Sequence, residues 1–259
     1  MRYHIDTIPV WEAMEQHSEC PLCALRRKTE RLLVERSLGA SVMSPDTRVR
    51  VNEAGFCAQH QVMMFNFPGG NKLGQGLMML SHLQTLRPKA AKALQAGARV
   101  DGRGRHPFAA LLKDRNTARP DGGSGLGQLI AGCVICEELE SQSRRQTASL
   151  LHLWKTEPAF QRAFLASKGL CLPHTDAALG MAGELLSGEK LDGFVKAAGQ
   201  LLEASLQRLE EELAWFTQKF DYRNAQQPWG DSRDALERAA SKLRGWCLGN
   251  EPMQDETRA

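Results

Sequence analysis

Two short segments decide the fold expected of this chain: Cys20-Pro21-Leu22-Cys23 and, further along, Cys57-Ala58-Gln59-His60. The same arrangement returns in the second half as Cys133-Val134-Ile135-Cys136, followed by Cys171-Leu172-Pro173-His174. The interval between the CxxC and CxxH segments differs by a single position between the two copies. Each copy therefore offers three thiolates and one imidazole, which is a complete ligand set for a tetrahedral zinc ion.

We predict two structural zinc ions. The predicted ligands are Cys20, Cys23, Cys57, His60, Cys133, Cys136, Cys171 and His174. Four protein ligands leave no coordination position for water or substrate, so each zinc is expected to be structural rather than catalytic. The nearly equal intervals favour ligands drawn from within one copy. An exchanged pairing, in which the first CxxC segment shares an ion with the second CxxH segment, is the alternative.

Other interpretations of the cysteines account for less of the pattern. Unligated core cysteines have no reason to recur at matched spacing with a histidine in the same place. Redox-active CxxC motifs leave both CxxH segments unexplained, and iron–sulfur clusters use a single histidine ligand less often. The seventh cysteine, Cys247, has no cysteine or histidine near it in the sequence. We expect it to be a semi-buried thiol with no role as a ligand.

The chain between the ligand pairs is expected to be helical in both copies. Ser44-Pro45-Asp46 places a capping serine, a first-turn proline and an acid at a helix start, and Gly55 is suited to the end of that helix. Thr156-Glu157-Pro158 and Gly169 occupy the matching places in the second copy. This agreement between the ligand pairs indicates an internal duplication.

A long amphipathic helix is predicted from about Leu191 to Phe220, because apolar residues recur there at steps of four and three positions. The stripe consists of Leu202, Leu206, Leu209, Leu213, Phe216 and Phe220, and the residues expected off it are Glu203, Glu210, Glu211 and Lys219. We interpret the stripe as a core-facing surface for both copies. A coiled-coil dimer would leave the same pattern.

The predicted fold is all-α, with two duplicated zinc-binding three-helix repeats packed around a long amphipathic C-terminal helix. We expect the first repeat at 1–86, a basic, partly flexible insertion at 87–127, and the second repeat at 128–190. The long helix and an aromatic C-terminal segment are expected at 191–259.

The composition bounds the location and the partners of the chain. The start of the sequence lacks the apolar run of a secretory signal, and no stretch approaches ~20 consecutive apolar residues. We therefore predict a cytoplasmic protein with reduced thiols and no membrane association. The net charge of +3 is too small to indicate nucleic-acid binding by itself. Only the basic insertion keeps nucleic acid as a partner to consider.

No candidate nucleophile or general base emerges from the sequence, so an enzyme is the less favoured interpretation. Our leading hypothesis is a zinc-stabilised adaptor that binds a protein partner through Tyr222, Arg223 and Trp229, residue types that are enriched at binding hot spots. These aromatic residues would alternatively fold the C-terminal segment back onto the core. The alternative functions are a thiol-based redox switch that releases zinc on oxidation and a nucleic-acid-binding protein that uses the insertion.

Several phrases together resemble a bacterial family of uncharacterised cytoplasmic proteins, a domain of unknown function with duplicated CxxC and CxxH pairs. They are Ile8-Pro9-Val10-Trp11-Glu12-Ala13, Glu19-Cys20-Pro21-Leu22-Cys23, Gly55-Phe56-Cys57 with His60, Asn71-Lys72-Leu73-Gly74 and Lys219-Phe220-Asp221-Tyr222-Arg223-Asn224. The resemblance extends over nearly the whole chain, apart from the insertion. It implies a mostly helical protein with cysteine-rich metal sites and no assigned activity.

Overall fold

A computed structural model of the chain describes residues 6–100 and 125–246, which form helices and turns with no strand among them. The helices are α1 (Ile8–Glu15), α2 (Pro21–Leu38), α3 (Pro45–Ala54), α4 (Ala58–Asn66), α5 (Lys72–Val100), α6 (Leu126–Leu129), α7 (Val134–Thr156), α8 (Pro158–Leu165), α9 (Leu172–Leu185), α10 (Gly188–Gln218) and α11 (Ala235–Arg244). The prediction of an all-α fold is confirmed. No helix in the described part of the chain is both long and apolar enough to cross a membrane.

The same order of helices follows each CxxC segment. α2 and α7 begin within these segments, α3 and α8 begin at prolines, and α4 and α9 begin directly after the cysteine of a CxxH segment. A long helix, α5 or α10, then ends each series. As predicted, Ser44 caps α3 by accepting a hydrogen bond from the N–H of Thr47 at 3.5 Å, and Gly55 ends this helix with a positive φ of 63°.

The chain folds into two compact units. Unit 1 takes its described residues from Met1–Thr29 and Ser141–Ala259, and unit 2 takes them from Glu30–Glu140. The limits fall within α2 and within α7, so each unit contains chain from both sequence copies. This division differs from the segments 1–86, 87–127, 128–190 and 191–259, which stay a prediction.

The core of unit 1 is rich in aromatic side chains. The indole ring of Trp154 packs edge-on against Phe164 and Phe194, with ring centroids 5.7 and 5.6 Å apart. Trp11 of α1 packs in the same way on Phe160, at 5.1 Å. Such edge-to-face pairs add to the free energy gained by burying their large apolar area. They bring α1, α7, α8 and α10 together around one core.

The core of unit 2 is aliphatic. Val34, Val51, Met64, Met78 and Ile135 are each at most 1% exposed. α5 approaches the turn at 40–43 closely, since a Cβ atom on Gly74 would lie 2.9 Å from the side chain of Val42. The lack of a side chain at Gly74 permits one face of α5 to pack against the rest of unit 2.

The first residues of the predicted insertion at 87–127 are helical. α5 continues through Pro88 to Val100, so the predicted boundary at residue 87 falls inside a helix. A proline in a helix removes one backbone donor, but Ala90, Ala91 and Ala93 directly after it favour helix. The rest of the insertion lies largely outside the described residues, as does Cys247.

The buried face of α10 also differs from the predicted stripe. Of the predicted stripe only Leu209 is buried, while Phe220 is 75% exposed. The helix buries Phe194, Ala197, Ala198, Ser205 and Leu209 instead. Lys219, expected off the stripe, is 7% exposed. The other stripe residues, Leu202, Leu206, Leu213 and Phe216, are half-buried. Apolar spacing therefore located the packed side of α10 only in part, because charged residues also take part in the packing, as described below for cluster A.

Candidate metal centres

Two clusters of cysteine and histidine lie among the described residues. Cluster A consists of Cys20, Cys23, Cys171 and His174, and cluster B consists of Cys57, His60, Cys133 and Cys136. Within each cluster the ligand atoms, Sγ of cysteine and a ring nitrogen of histidine, all lie within 4.8 Å of one another. All eight residues predicted as ligands are therefore gathered into two sets of three thiols and one imidazole.

The spacing of these atoms fits a tetrahedral metal ion. Bonds of about 2.3 Å to sulfur and about 2.0 Å to nitrogen place two sulfurs about 3.8 Å apart, and sulfur and nitrogen about 3.5 Å apart. In cluster A the three Sγ atoms lie 3.4, 3.3 and 3.1 Å from Nδ1 of His174. In cluster B the Sγ atoms of Cys57 and Cys136 lie 3.8 Å apart. Each cluster could thus hold one four-coordinate ion with no coordination position left for a substrate.

The favoured pairing of the ligand segments was wrong. Cluster A joins the first CxxC segment to the second CxxH segment, and cluster B joins the second CxxC segment to the first CxxH segment. The structure has the exchanged alternative. The two CxxH segments are locally alike, since Cys57 and Cys171 are both N-cap residues with φ of −71° and −72°. The backbone conformation of the CxxH segments therefore does not distinguish one pairing from the other.

Each ligand segment lies at the beginning of a helix. Cys57 and Cys171 cap α4 and α9, and the histidine three positions later lies in the first turn. The CxxC cysteines flank the starts of α2 and α7. The partial positive charge at a helix N-terminus stabilises the thiolate form that a metal ion requires.

In cluster B the two ligand loops meet through their backbones. The N–H of Val134 donates to the carbonyl oxygen of Gly55 at 3.1 Å. A Cβ atom on Gly132 would lie 3.0 Å from backbone atoms of Ala54, so the loops approach each other as closely as glycine permits. Close packing of these loops brings Cys133 within reach of Cys57 and His60.

In cluster A a buried lysine joins the corresponding loops. Pro21 takes the place of Val134 and has no N–H to donate. Lys242 of α11 is fully buried and donates instead from Nζ to the carbonyl oxygens of Glu19, at 2.8 Å, and Lys168, at 2.6 Å. These two carbonyls occupy the positions of Gly132 and Ala54 in cluster B.

A buried carboxylate next to Cys20 gathers further cations. Glu19 is 2% exposed, and its oxygens lie 2.7 Å from Nη2 of Arg208, 3.3 Å from Nζ of Lys168 and 3.7 Å from Nζ of Lys242. Burial alone would raise the pKa of Glu19, but attraction by these cations outweighs it and lowers the pKa below its usual value. Arg238 of α11 joins the network through Glu212 of α10. Sequence patterns missed these residues because charged side chains are normally assigned to the surface.

Cluster B has its own carboxylate partner. Oε1 of Glu30 lies 3.1 Å from Nε2 of His60, while Nδ1 of the same ring faces the thiols at 3.2–3.4 Å. A carboxylate on the outer nitrogen fixes the ring orientation of a metal-binding histidine and typically strengthens metal affinity about 10- to 100-fold. Glu30 lies seven positions after Cys23 in sequence, and no motif marks it.

The thiols and the imidazole of each cluster shift one another's pKa. Burial alone would lower the pKa of His60, but hydrogen bonds with Glu30 and Cys133 raise it to about 9. In cluster A burial alone would lower the pKa of His174, but hydrogen bonds with Cys171 and Cys20 raise it to about 10. Burial opposes ionisation of Cys133, yet backbone hydrogen bonds from Cys57 and Cys136 lower its pKa to about 7. A bound cation would take the place of these protons.

Solvent reaches the clusters unequally. The three cysteines of cluster A are at most 1% exposed. The backbone at Gly245 lies against them, since a Cβ atom there would be 3.9 Å from the Sγ atoms of Cys23 and Cys171. In cluster B, Cys136 is exposed and Cys57 is half-buried. Cluster B is therefore the more accessible to reagents in solution.

The three residues predicted to bind a partner lie after α10 in unit 1. Tyr222 is 86% exposed, and Arg223 is exposed beside Asp221, with Nη2 and Oδ2 2.6 Å apart. Trp229 is half-buried, with its ring 5.8 Å from Phe216 and 5.2 Å from the Lys219 ammonium. Trp229 thus folds back onto α10, as the alternative interpretation expected, whereas Tyr222 projects outward. A shallow cleft of about 500 Å³ lies beside Trp229.

The fold and the clusters define an all-helical protein with two Cys₃His sites, each assembled from segments distant in the sequence. The chain belongs to a family of unknown function, DUF6062, whose profile matches residues 1–250. The resemblance identified from the sequence motifs is thus confirmed. No curated protein matches the chain, and no solved structure matches it.

Proposed function

We propose that the protein is a zinc-stabilised helical adaptor that docks a partner protein through Tyr222, Arg223 and Trp229. The observation that carries this proposal is the exposure of Tyr222, which is 86% exposed on a segment held to α10 by Trp229. A large aromatic ring presented by a fixed segment loses little conformational entropy on binding. The closed geometry of both clusters supports metal ions that hold the fold rather than react with a substrate.

Replacing Tyr222 and Arg223 together by alanine is expected to reduce recovery of a stoichiometric partner about tenfold or more, as loss of a binding hot spot does. The measurement is quantitative mass spectrometry of complexes purified at native expression level. Leu179→Ala with Leu185→Ala, at exposed positions on α9 of the same unit, is the matched control. Equal recovery of the partner with both double variants would contradict the proposal. Trp229→Ala is tested separately because its ring also packs on α10.

The exposure of Cys136 favours a second candidate function, a thiol switch at cluster B. A peroxide would oxidise two thiolates, Cys57 and Cys136, to a disulfide and be reduced to two molecules of water with two protons taken from solvent. The zinc ion, having lost two ligands, would then leave. The Sγ atoms of the two residues are already 3.8 Å apart.

Dilute hydrogen peroxide is expected to release one zinc ion from the loaded protein well before the other. Peptide mapping should find a Cys57–Cys136 disulfide, and dithiothreitol with added zinc should restore the original metal content. Simultaneous release of both ions, or release only at a large excess of peroxide, would eliminate the switch. The buried cysteines of cluster A serve as the internal control.

A further inference from the structure

The exposed side of α5 carries a row of leucines, the leucine stripe, formed by Leu73, Leu77, Leu80 and Leu83. These side chains are 75%, 38%, 54% and 55% exposed, although leucine normally contributes to a core. Steps of four, three and three positions keep them along one side of the helix. The stripe is therefore an apolar surface that the described residues leave partly open to solvent.

The opposite side of α5 is fixed to unit 2. Met78 is fully buried, and Gln75 is 4% exposed. The close approach of Gly74 to Val42 lies on this side as well. Since the packed face is used for the core, the leucine stripe is held outward on a rigid helix. A rigid, preformed helix face loses little entropy when another helix packs against it.

α4 adds apolar surface next to α5. Nε2 of Gln61 donates to Sδ of Met79 at 3.2 Å, and Nζ of Lys72 donates to the carbonyl oxygen of Phe65 at 2.5 Å, so the two helices lie side by side. On α4, Val62 and Phe65 are 55% and 57% exposed. Two adjacent helices with exposed apolar side chains form the kind of surface that receives an amphipathic helix.

The charged side chains of α4 and α5 themselves are of one sign. The sequence of α5 contains no aspartate or glutamate, and α4 contains no charged residue. Lys72, Arg87, Lys89 and Lys92 are exposed on α5. A partner with carboxylates beside its apolar face would therefore be attracted, and a basic partner would be repelled.

We propose that the leucine stripe docks an acidic amphipathic helix of a partner protein. The leucines match the apolar stripe of such a helix, and the lysines and arginine match its carboxylates. This surface lies in unit 2 and does not include Tyr222, Arg223 or Trp229. It rests on the proposed adaptor function only in that its ligand is a protein, and it would give the adaptor a second docking surface.

Two other occupants fit these observations less well. A second copy that paired through the same stripe would bring the basic side chains of two α5 helices together, which is unfavourable. Helices that lie in a membrane interface usually anchor with several tryptophan or phenylalanine side chains among their leucines, whereas α5 has neither and α4 contributes only Phe65. A narrow stripe with leucines at steps of three and four positions favours a helix of another protein as the occupant.

The test uses the full-length, metal-loaded protein and two designed peptides of about three heptads, both with leucine at the core positions. One peptide has glutamate at the flanking positions and the other has lysine. By fluorescence anisotropy, the glutamate peptide is expected to bind about tenfold or more tightly than the lysine peptide. Leu73→Ser with Leu80→Ser should weaken its binding about tenfold or more. Added salt should weaken binding to the unchanged protein.

Leu185→Ser with Leu236→Ser, at exposed positions of unit 1, is the matched control and should leave peptide binding unchanged. Both double variants should keep the melting temperature and metal content of the parent. Equal affinity of the parent protein for the two peptides would overturn the proposal. So would unchanged affinity of the Leu73 and Leu80 variant for the glutamate peptide. If the parent protein does not bind either peptide but forms a dimer that the Leu73 and Leu80 variant loses, the stripe is a dimer interface instead. If it binds phosphatidylserine vesicles instead, and the same variant alone loses that binding, the stripe is a membrane-binding surface. Peptide binding that survives Tyr222→Ala with Arg223→Ala keeps this surface separate from the proposed one.

Discussion

A variant that lacks both Cys20 and Cys171 is expected to retain one zinc ion per chain, whereas a variant that lacks Cys20 and Cys57 should retain none. Cys20 and Cys171 belong to cluster A, but Cys57 belongs to cluster B. A structural zinc site loses its ion when thiolate ligands are removed, and such ions contribute apparent free energies of about 10–16 kcal/mol. The measurement is native mass spectrometry of zinc-reconstituted protein.

Pairing within each sequence copy predicts the opposite pattern, so the two double variants are matched controls for each other. Alkylation of the cysteines is a second measurement of the pairing, and it can be interpreted even if a variant partly unfolds. In Cys20→Ser alone, Cys23 and Cys171 should become reactive toward N-ethylmaleimide, while Cys57 and Cys133 keep the protection they have in the parent protein. Gain of reactivity at Cys57 without gain at Cys171 would refute the exchanged clusters.

Lys242→Met is expected to lower the free energy of unfolding by about 3–5 kcal/mol, the typical cost of removing one partner from a buried ionic network. The lysine is fully buried, and its loss leaves the carbonyl oxygens of Glu19 and Lys168 without this donor. It also removes one of the cations that face the Glu19 carboxylate. Since these loops carry Cys20 and Cys171, cluster A should lose its ion to a chelator faster than it does in the parent protein.

Chemical denaturation of the metal-loaded protein measures this effect. Lys196→Met on α10 is the matched control, because Lys196 is exposed and surface substitutions usually change stability by less than about 0.5 kcal/mol. If Lys242→Met destabilised the protein no more than Lys196→Met does, the lysine would not be holding the ligand loops together. An unchanged rate of metal loss from cluster A would argue against it equally.

The metal ligands and the helix starts could be predicted from sequence because their causes are local. A capping serine and a first-turn proline act on the residues next to them, and α3 begins where Ser44 and Pro45 predict. The pairing of the clusters is a non-local property. Cys57 and Cys171 begin helices with nearly the same backbone angles, so the backbone of a CxxH segment does not by itself select its CxxC partner.

The packed face of α10 was predicted only in part, for a different reason. Apolar periodicity locates a buried face only when that face is apolar. Here α10 contributes Arg208, whose guanidinium is bonded to Glu19, and Lys219, whose ammonium donates to the carbonyl oxygens of Asn224 and Ala225. The partners of these side chains lie far away in the sequence or in an irregular turn. No periodic pattern in α10 itself records them.

Because of the exchanged pairing, the two ligand sets are completed one after the other during translation. The ligands of cluster B, residues 57–136, are nested within those of cluster A, residues 20–174. At about 5–20 residues per second, Cys20 is synthesised roughly 8–30 s before its partner His174. Cluster B can therefore bind its metal ion first, before the last ligand that joins Cys20 and Cys23, His174, has been synthesised. During translation, two cysteines near the amino terminus depend on whatever keeps a nascent thiol reduced and away from the wrong histidine.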